Sequence, residues 1–367
     1  MAMPRLRLPL AVTALGSCLC ATALGCGPTP DEQLHASESA ALAPTALVWN
    51  PGHYIIIGSD STAKRDQVLA APSSKPFAGI QRKYDWFSFE TAKGDYDAGL
   101  ALLDDDLQAA EQAGKKLLAM IQYKQFGSTP HAVPAYLRQP GPWCTGSTCG
   151  EYRMSNGVTA IIWQPGVAGR LQAWFQAIGA HVAQSPHRGA FAGIVLPETA
   201  LSEGKKSLAS VGYTQPVYRD AIEANLLSLV GALPNTPVFQ YINFFPPNKN
   251  ADQYLADLAD FALAHPTVGL GCPDVAPAIS PPGYDILEDP GYQDRLPFDV
   301  AIEAADFGSA RTTGLSPTYQ LAVTGMRAQY VSWFAGGGND ADDVFSLADV
   351  SAYIAKHPMP NTDVPTW

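Results

Sequence analysis

The chain of 367 residues is 47% hydrophobic and 16% charged, against roughly 25% charged in an average soluble domain. At this length, and 10% aromatic, it buries enough apolar surface to exclude intrinsic disorder over most of its course. With 34 acidic against 23 basic residues the formal charge is −11, which argues against nucleic acid and anionic lipid as principal partners.

Arg5 and Arg7 open the chain, and Leu8–Gly25 is an apolar stretch broken by Ser17, Cys18 and Cys20. That is an export signal, too weakly flanked to remain as a membrane span. Its end, Ala23-Leu24-Gly25-Cys26, resembles the lipobox of bacterial lipoproteins. The resemblance implies that residues 1–26 are a lipoprotein-type signal, that Cys26 is lipidated, and that this lipid is the sole attachment of a periplasmic or outer-surface protein. The lipobox Leu is replaced by Ala23, an earlier match ends at Cys18, and ordinary cleavage with free secretion is the other reading. Residues 27–44, rich in Pro, Ala, Ser and acidic groups, read as a flexible linker.

From residue 45 short apolar runs alternate with helical patterns. The runs are Tyr54–Ile57, Gly79–Tyr84, Lys116–Tyr123, Ala190–Leu196, Pro237–Asn243, Thr267–Gly271, Phe298–Glu303 and Gln329–Phe334. Between them, Asp97–Gly114, Pro216–Leu233, Ala251–His265, Pro317–Ala328 and Leu347–His357 carry helical periodicity. Leu171, Trp174, Phe175, Ile178 and Val182 form one apolar face at helical spacing, which reads as core. Eight strands alternating with helices, with no linker between them, predict an α/β fold, a single (β/α)8 TIM barrel over 45–367 with a long loop after strand three. No glycine-rich phosphate motif follows the early strands, so no nucleotide cofactor is expected.

That loop, Lys124–Gln164, holds Cys144 and Cys149, which an oxidising compartment would join in a disulfide. Cys272 stands alone and reads as a buried thiol. The histidines form no ligand-spaced pair, so no metal is expected either. Asp104-Asp105-Asp106 sits in a helical pattern and reads as a solvated face.

Barrel chemistry occurs at the C-terminal ends of the strands. Strand four ends at Pro197-Glu198 and strand seven at Ile302-Glu303, one carboxylate each. Two carboxylates across a cleft are the equipment of glycoside hydrolysis, and aromatic side chains suit the C–H faces of sugars. The stretch Gly79–Glu90, with Trp86 and Glu90 and continuing Gly94-Asp95-Tyr96-Asp97, resembles the second-strand motif of clan A glycoside hydrolases. The resemblance implies a carbohydrate substrate, Glu198 as acid/base, Glu303 as nucleophile and Trp333 as the floor of the sugar subsite. Substrate contacts are then expected from Arg82, Tyr84, Trp86, Lys124 and Asn243. Arg82 could instead pair with Asp85, Trp333 could be plain core, and Glu90 reads as a structural anchor. The clan's Asn before the acid/base is Pro197 here, so either another residue such as Asn243 takes its place at the sugar hydroxyl, or the family is remote, or the barrel binds sugar without turnover. A third reading uses Asp274 with Glu303.

Overall fold

Eight parallel strands close into a barrel in the computed structural model, which describes residues 47–58, 62–127, 131–246 and 251–366. They are β1 (Gly52–Ile56), β2 (Gly79–Asp85), β3 (Lys116–Gln122), β4 (Phe191–Leu196), β5 (Val238–Tyr241), β6 (Val268–Cys272), β7 (Phe298–Ile302) and β8 (Tyr330–Phe334). Each pairs with its neighbours in chain order, and Gly52–Ile56 pairs with Tyr330–Phe334 to close the ring. The protein is a (β/α)8 TIM barrel, as the alternating pattern predicts. The signal stretch, Cys26 and the linker lie outside the described residues.

The helices following the strands are α1 (Thr62–Ala70), α2 (Asp97–Gln112), α3 (Pro165–Gln184), α4 (Gln215–Ala232), α5 (Ala251–Leu263), α6 (Gly283–Leu287), α7 (Leu315–Gln320, running into a π-turn at Leu321–Gly325) and α8 (Leu347–Ile354). Helices α1 and α6 escape a sequence reading for opposite reasons. The first buries only Arg65 and Val68, too little for an apolar stripe, and the second is little more than one turn. No helix among the described residues is long and apolar enough to cross a membrane.

Strand alternation divides the apolar residues into two layers. Tyr54, Ile56, Leu118, Met120, Phe239, Tyr241 and Tyr330 point inward and pack across the barrel axis. Ile55, Ile80, Tyr84, Ile121, Ile194, Val331 and Trp333 point outward into the larger core shared with the helices, where the α3 face of Leu171, Trp174, Phe175, Ile178 and Val182 is buried as expected. The inner layer is tight enough to need glycine on β6. A Cβ on Gly271 would lie 1.9 Å from the Asp299 carbonyl oxygen and 2.7 Å from the Tyr241 ring.

The long segment after β3 is a folded cap rather than a loop. Lys124–Phe126, Gly157–Ala160 and Glu151–Arg153 make an antiparallel sheet with the second of these in the centre. Beside it Cys144 and Cys149 are disulfide-bonded across a two-stranded hairpin.

Candidate active site

A cavity of about 470 Å³ opens where the barrel strands end. Glu198, two residues beyond β4, and Glu303, immediately after β7, both line it, together with Asn243 after β5 and Asp274 after β6. The two carboxylates picked from strand ends therefore meet in one space.

Burial of Glu198 pushes its carboxyl up to about 7 from an ordinary 4.5, and the charges of Asp274 and Glu303 push the same way. Lys124 and a hydrogen bond from Asn243 oppose the rise. Asn243 Nδ2 donates to Glu198 Oε2. Its Oδ1 accepts from the backbone of Ala200 at 2.9 Å and of Phe244 at 2.8 Å. Asn243 thus ties the loops after β4 and β5 and aims the carboxylate. Lys124 is buried and does not line the cavity: its ammonium donates to the carbonyls of Glu198 and, at 2.6 Å, Ala200. Burial lowers its pKa to about 8, against the attraction of Glu198. Lys124 holds the acid loop in place rather than touching substrate as its position after strand three predicts.

Glu303 is positioned through its backbone. Its N–H donates to Asp306 Oδ2 at 2.7 Å, and Asp306 is fully buried, raised to about 7 by burial and then by Asp274. Arg311 bridges Asp306 at 3.0 Å and Asp274 at 3.3 Å. Asp274 has a left-handed backbone, φ 54°, a strained conformation for a residue other than glycine. Tyr284 pins it by donating to its carbonyl at 2.8 Å. Burial and then Glu303 raise the Asp274 carboxyl. Among the described residues no cluster of three His, Cys, Asp or Glu is arranged to hold a metal.

Four expected sugar contacts lie elsewhere. On β2 the inward positions are Gln81, Lys83 and Asp85, so Arg82 and Tyr84 face the helices and both bind Asp106, at 2.5 and 2.7 Å. Asp106 is consequently fully buried, against its reading as part of a solvated face, and also receives Arg65 at 2.8 Å. Asp85 accepts from Gln125 rather than Arg82. Trp86 stacks on Trp174, centroids 5.9 Å apart and planes 9° apart, while its Nε1 donates to Glu90 at 2.9 Å. Glu90 is buried and also accepts from Gly94 N, Tyr136 and Arg170, the anchor it was read as. Trp333 is fully buried in the outer layer, its Nε1 3.2 Å from His53 Nδ1, and floors no cleft. Cys272 is a buried thiol.

Residues not singled out from sequence fill the vacated places. Lys83 reaches the cavity from β2, Gln122 from β3, and Phe126 from the cap sheet, where its ring is 44% exposed on the rim. Lys83 and Gln122 were recoverable by counting alternation along each strand; Phe126 needed the cap's fold. Trp143 and Trp163, the cap's larger aromatics, pack on Tyr136 and on Tyr213 and Tyr218 instead.

No protein-family model matches the chain, and no curated protein does. Among solved structures it resembles the β-galactosidase from Bacillus circulans sp. alkalophilus, with TM-score 0.53 and 8% identity over 84% of this chain and 56% of that one. The old yellow enzyme from Trypanosoma cruzi gives 0.50 and 12% over 82% and 85%. An exo-β-1,4-mannosidase from Opitutaceae bacterium strain TAV5 gives 0.47 and 13% over 77% and 51%, so the chain spans about half the length of either glycosidase. At these identities the shared property is the barrel, a fold that glycoside hydrolases and other enzymes hold in common.

Proposed function

We propose that the chain is a glycoside hydrolase acting on a β-linked oligo- or polysaccharide by a retaining mechanism. The observation that carries this reading is the joint presence of Glu198 and Glu303 in one cavity, with the Glu198 carboxyl raised to about 7. Glu303 attacks the anomeric carbon as the glycosidic C–O bond breaks, and the Glu198 proton passes to the departing oxygen. Water then displaces Glu303, giving its proton to Glu198 and restoring both groups. Asn243 fixes Glu198, and Lys83 and Phe126 are available to the sugar. Export, with a lipid on Cys26, is part of the same proposal and would place the enzyme where polysaccharide is met.

Pro197 favours a second reading, a sugar-binding barrel without turnover, because it lacks the amide that the clan offers to a sugar hydroxyl. The two separate in one assay. Purified protein is incubated with plant, algal and microbial polysaccharides and aryl β-glycosides, beside Glu198→Gln and Glu303→Gln. Release of sugar that both substitutions abolish supports the hydrolase, and binding with no release by a folded sample supports the second reading.

A further inference from the structure

Next to the active-site cavity lies a larger one, about 930 Å³, between the cap sheet and the loop after β4. The two share a rim. Asn156, Leu201 and Ser202 line the first, while Ser155, Glu203 and Gly204 line the second. Ser202 Oγ donates to Asn156 Oδ1 at 2.6 Å and accepts from Ser155 Oγ at 2.9 Å, so the rim is one hydrogen-bonded ridge. The second cavity carries Arg138, Arg153, Lys205 and Lys206 against Glu151 and Glu203. That is a local excess of positive charge on a chain whose net charge is −11.

Its acids are already engaged: Glu151 accepts from Ala132 N at 2.9 Å and meets His131 at 3.0 Å, and Glu203 faces Leu208 N. Arg138, Lys205 and Lys206 are not matched to them. Arg138 contacts the His131 ring at 2.6 Å, and Lys206 reaches only Ser147 Oγ at 3.3 Å. Among the described residues no carboxylate lies within ion-pair distance of Arg138, Lys205 or Lys206. A polyanion repelled by the net negative charge of the chain meets local attraction here.

We propose that this groove binds anionic sugar units of a polysaccharide whose glycosidic bond lies in the neighbouring cavity. The inference rests on the glycosidase reading and narrows its substrate to carboxylated or sulfated glycans. Nucleic acid is the disfavoured occupant, because the groove adjoins a sugar-sized carboxylate site and its two rings are poorly placed for base stacking, Tyr152 being buried and the His131 imidazole held between Glu151 and Arg138.

The test is calorimetric titration of the intact protein and of the surface double variant Lys205→Ser/Lys206→Ser. The probes are an oligogalacturonide, a sulfated galactan oligosaccharide, a neutral galactan oligosaccharide of equal length, and a single-stranded oligonucleotide. Tighter binding of one acidic glycan than of the neutral one, weakened roughly tenfold or more in the double variant and by added salt, is expected. Which acidic probe binds separates carboxylate from sulfate. Equal binding of acidic and neutral glycans, or an oligonucleotide binding as tightly as either acidic glycan, would overturn the proposal. Hydrolysis is assayed separately on the same sample. Acidic-glycan binding without hydrolysis sinks only the glycosidase reading, and hydrolysis of neutral glycan with no acidic preference sinks only the groove.

Discussion

Glu198 is the residue whose environment does most to define the chemistry. A general acid must carry its proton when substrate arrives, and a carboxyl raised to about 7 does so from acidic pH up to about neutral, where an ordinary carboxyl is already ionised. Activity is therefore expected to fall as pH rises through about 7. Asn243 donates to the charged form and holds the pKa down, so Asn243→Ala should move that alkaline limb to higher pH, read from kcat/KM profiles. An unmoved limb would mean that Asn243 only ties the loops. Glu198→Gln should lower the rate by roughly 10²–10⁴-fold while the fold, followed by circular dichroism, is kept. That Glu198 and Glu303 share one cavity was legible in sequence because residues at the strand ends of a barrel gather at one face, whatever the detailed packing. Arg82, Tyr84, Trp86 and Trp333 misled for a physical reason: chemical suitability for sugar says nothing of which side of a strand a residue occupies.

At the scale of elements, the period of two decides. One residue's step on β2 separates Lys83 in the cavity from Arg82 among the helices. Arg82 and Arg65 converge on Asp106, and removing Arg82 takes the shorter of two ion pairs from a fully buried carboxylate, leaving it only Arg65 and Tyr84. Arg82→Ala is expected to destabilise by roughly 3–5 kcal/mol in denaturant unfolding, with KM unaltered at temperatures where the variant stays folded. A raised KM at unchanged stability would return Arg82 to the substrate site. On β6 the inward glycine is equally constrained: Gly271→Ala should lower Tm sharply, since the added methyl meets the backbone of β7 and the Tyr241 ring. Strands and most helices were legible because their periodicities are carried by large apolar residues. The cap sheet was not, because its strands are only three or four residues long and set by the register of a hairpin.

The whole molecule has buried acids under its cleft as well as in it. Asp299 sits inside the barrel, wholly buried, accepting from Tyr241 OH at 2.8 Å, and burial pushes it up to about 8 from an ordinary 3.8. Because the folded state holds this proton more tightly than the unfolded chain, its contribution to stability is fully present below about 3.8 and is lost as pH rises through about 8. Glu198 and Asp306, both raised to about 7, add loss in the same direction. Thermal stability should therefore decline from mildly acidic to alkaline pH, and Asp299→Asn, which keeps the Tyr241 hydrogen bond, should flatten that decline. A variant as pH-sensitive as the parent would show that Asp299 ionises normally. None of this was legible in sequence, since Asp299 is an ordinary acid in an apolar run until the barrel closes around it.

The central claim, that Glu303 and Glu198 split a glycosidic bond between them, is tested most directly by trapping the covalent intermediate. The sugar most rapidly released in the polysaccharide and aryl glycoside assay is supplied as its 2-deoxy-2-fluoro glycoside with an activated leaving group, and labelled protein is mapped by mass spectrometry. A single glycosyl adduct on the peptide carrying Glu303, formed at comparable speed in Glu198→Gln because the leaving group needs no acid, is the predicted result. An adduct on Asp274, or continued turnover with no adduct on Glu303, would contradict it.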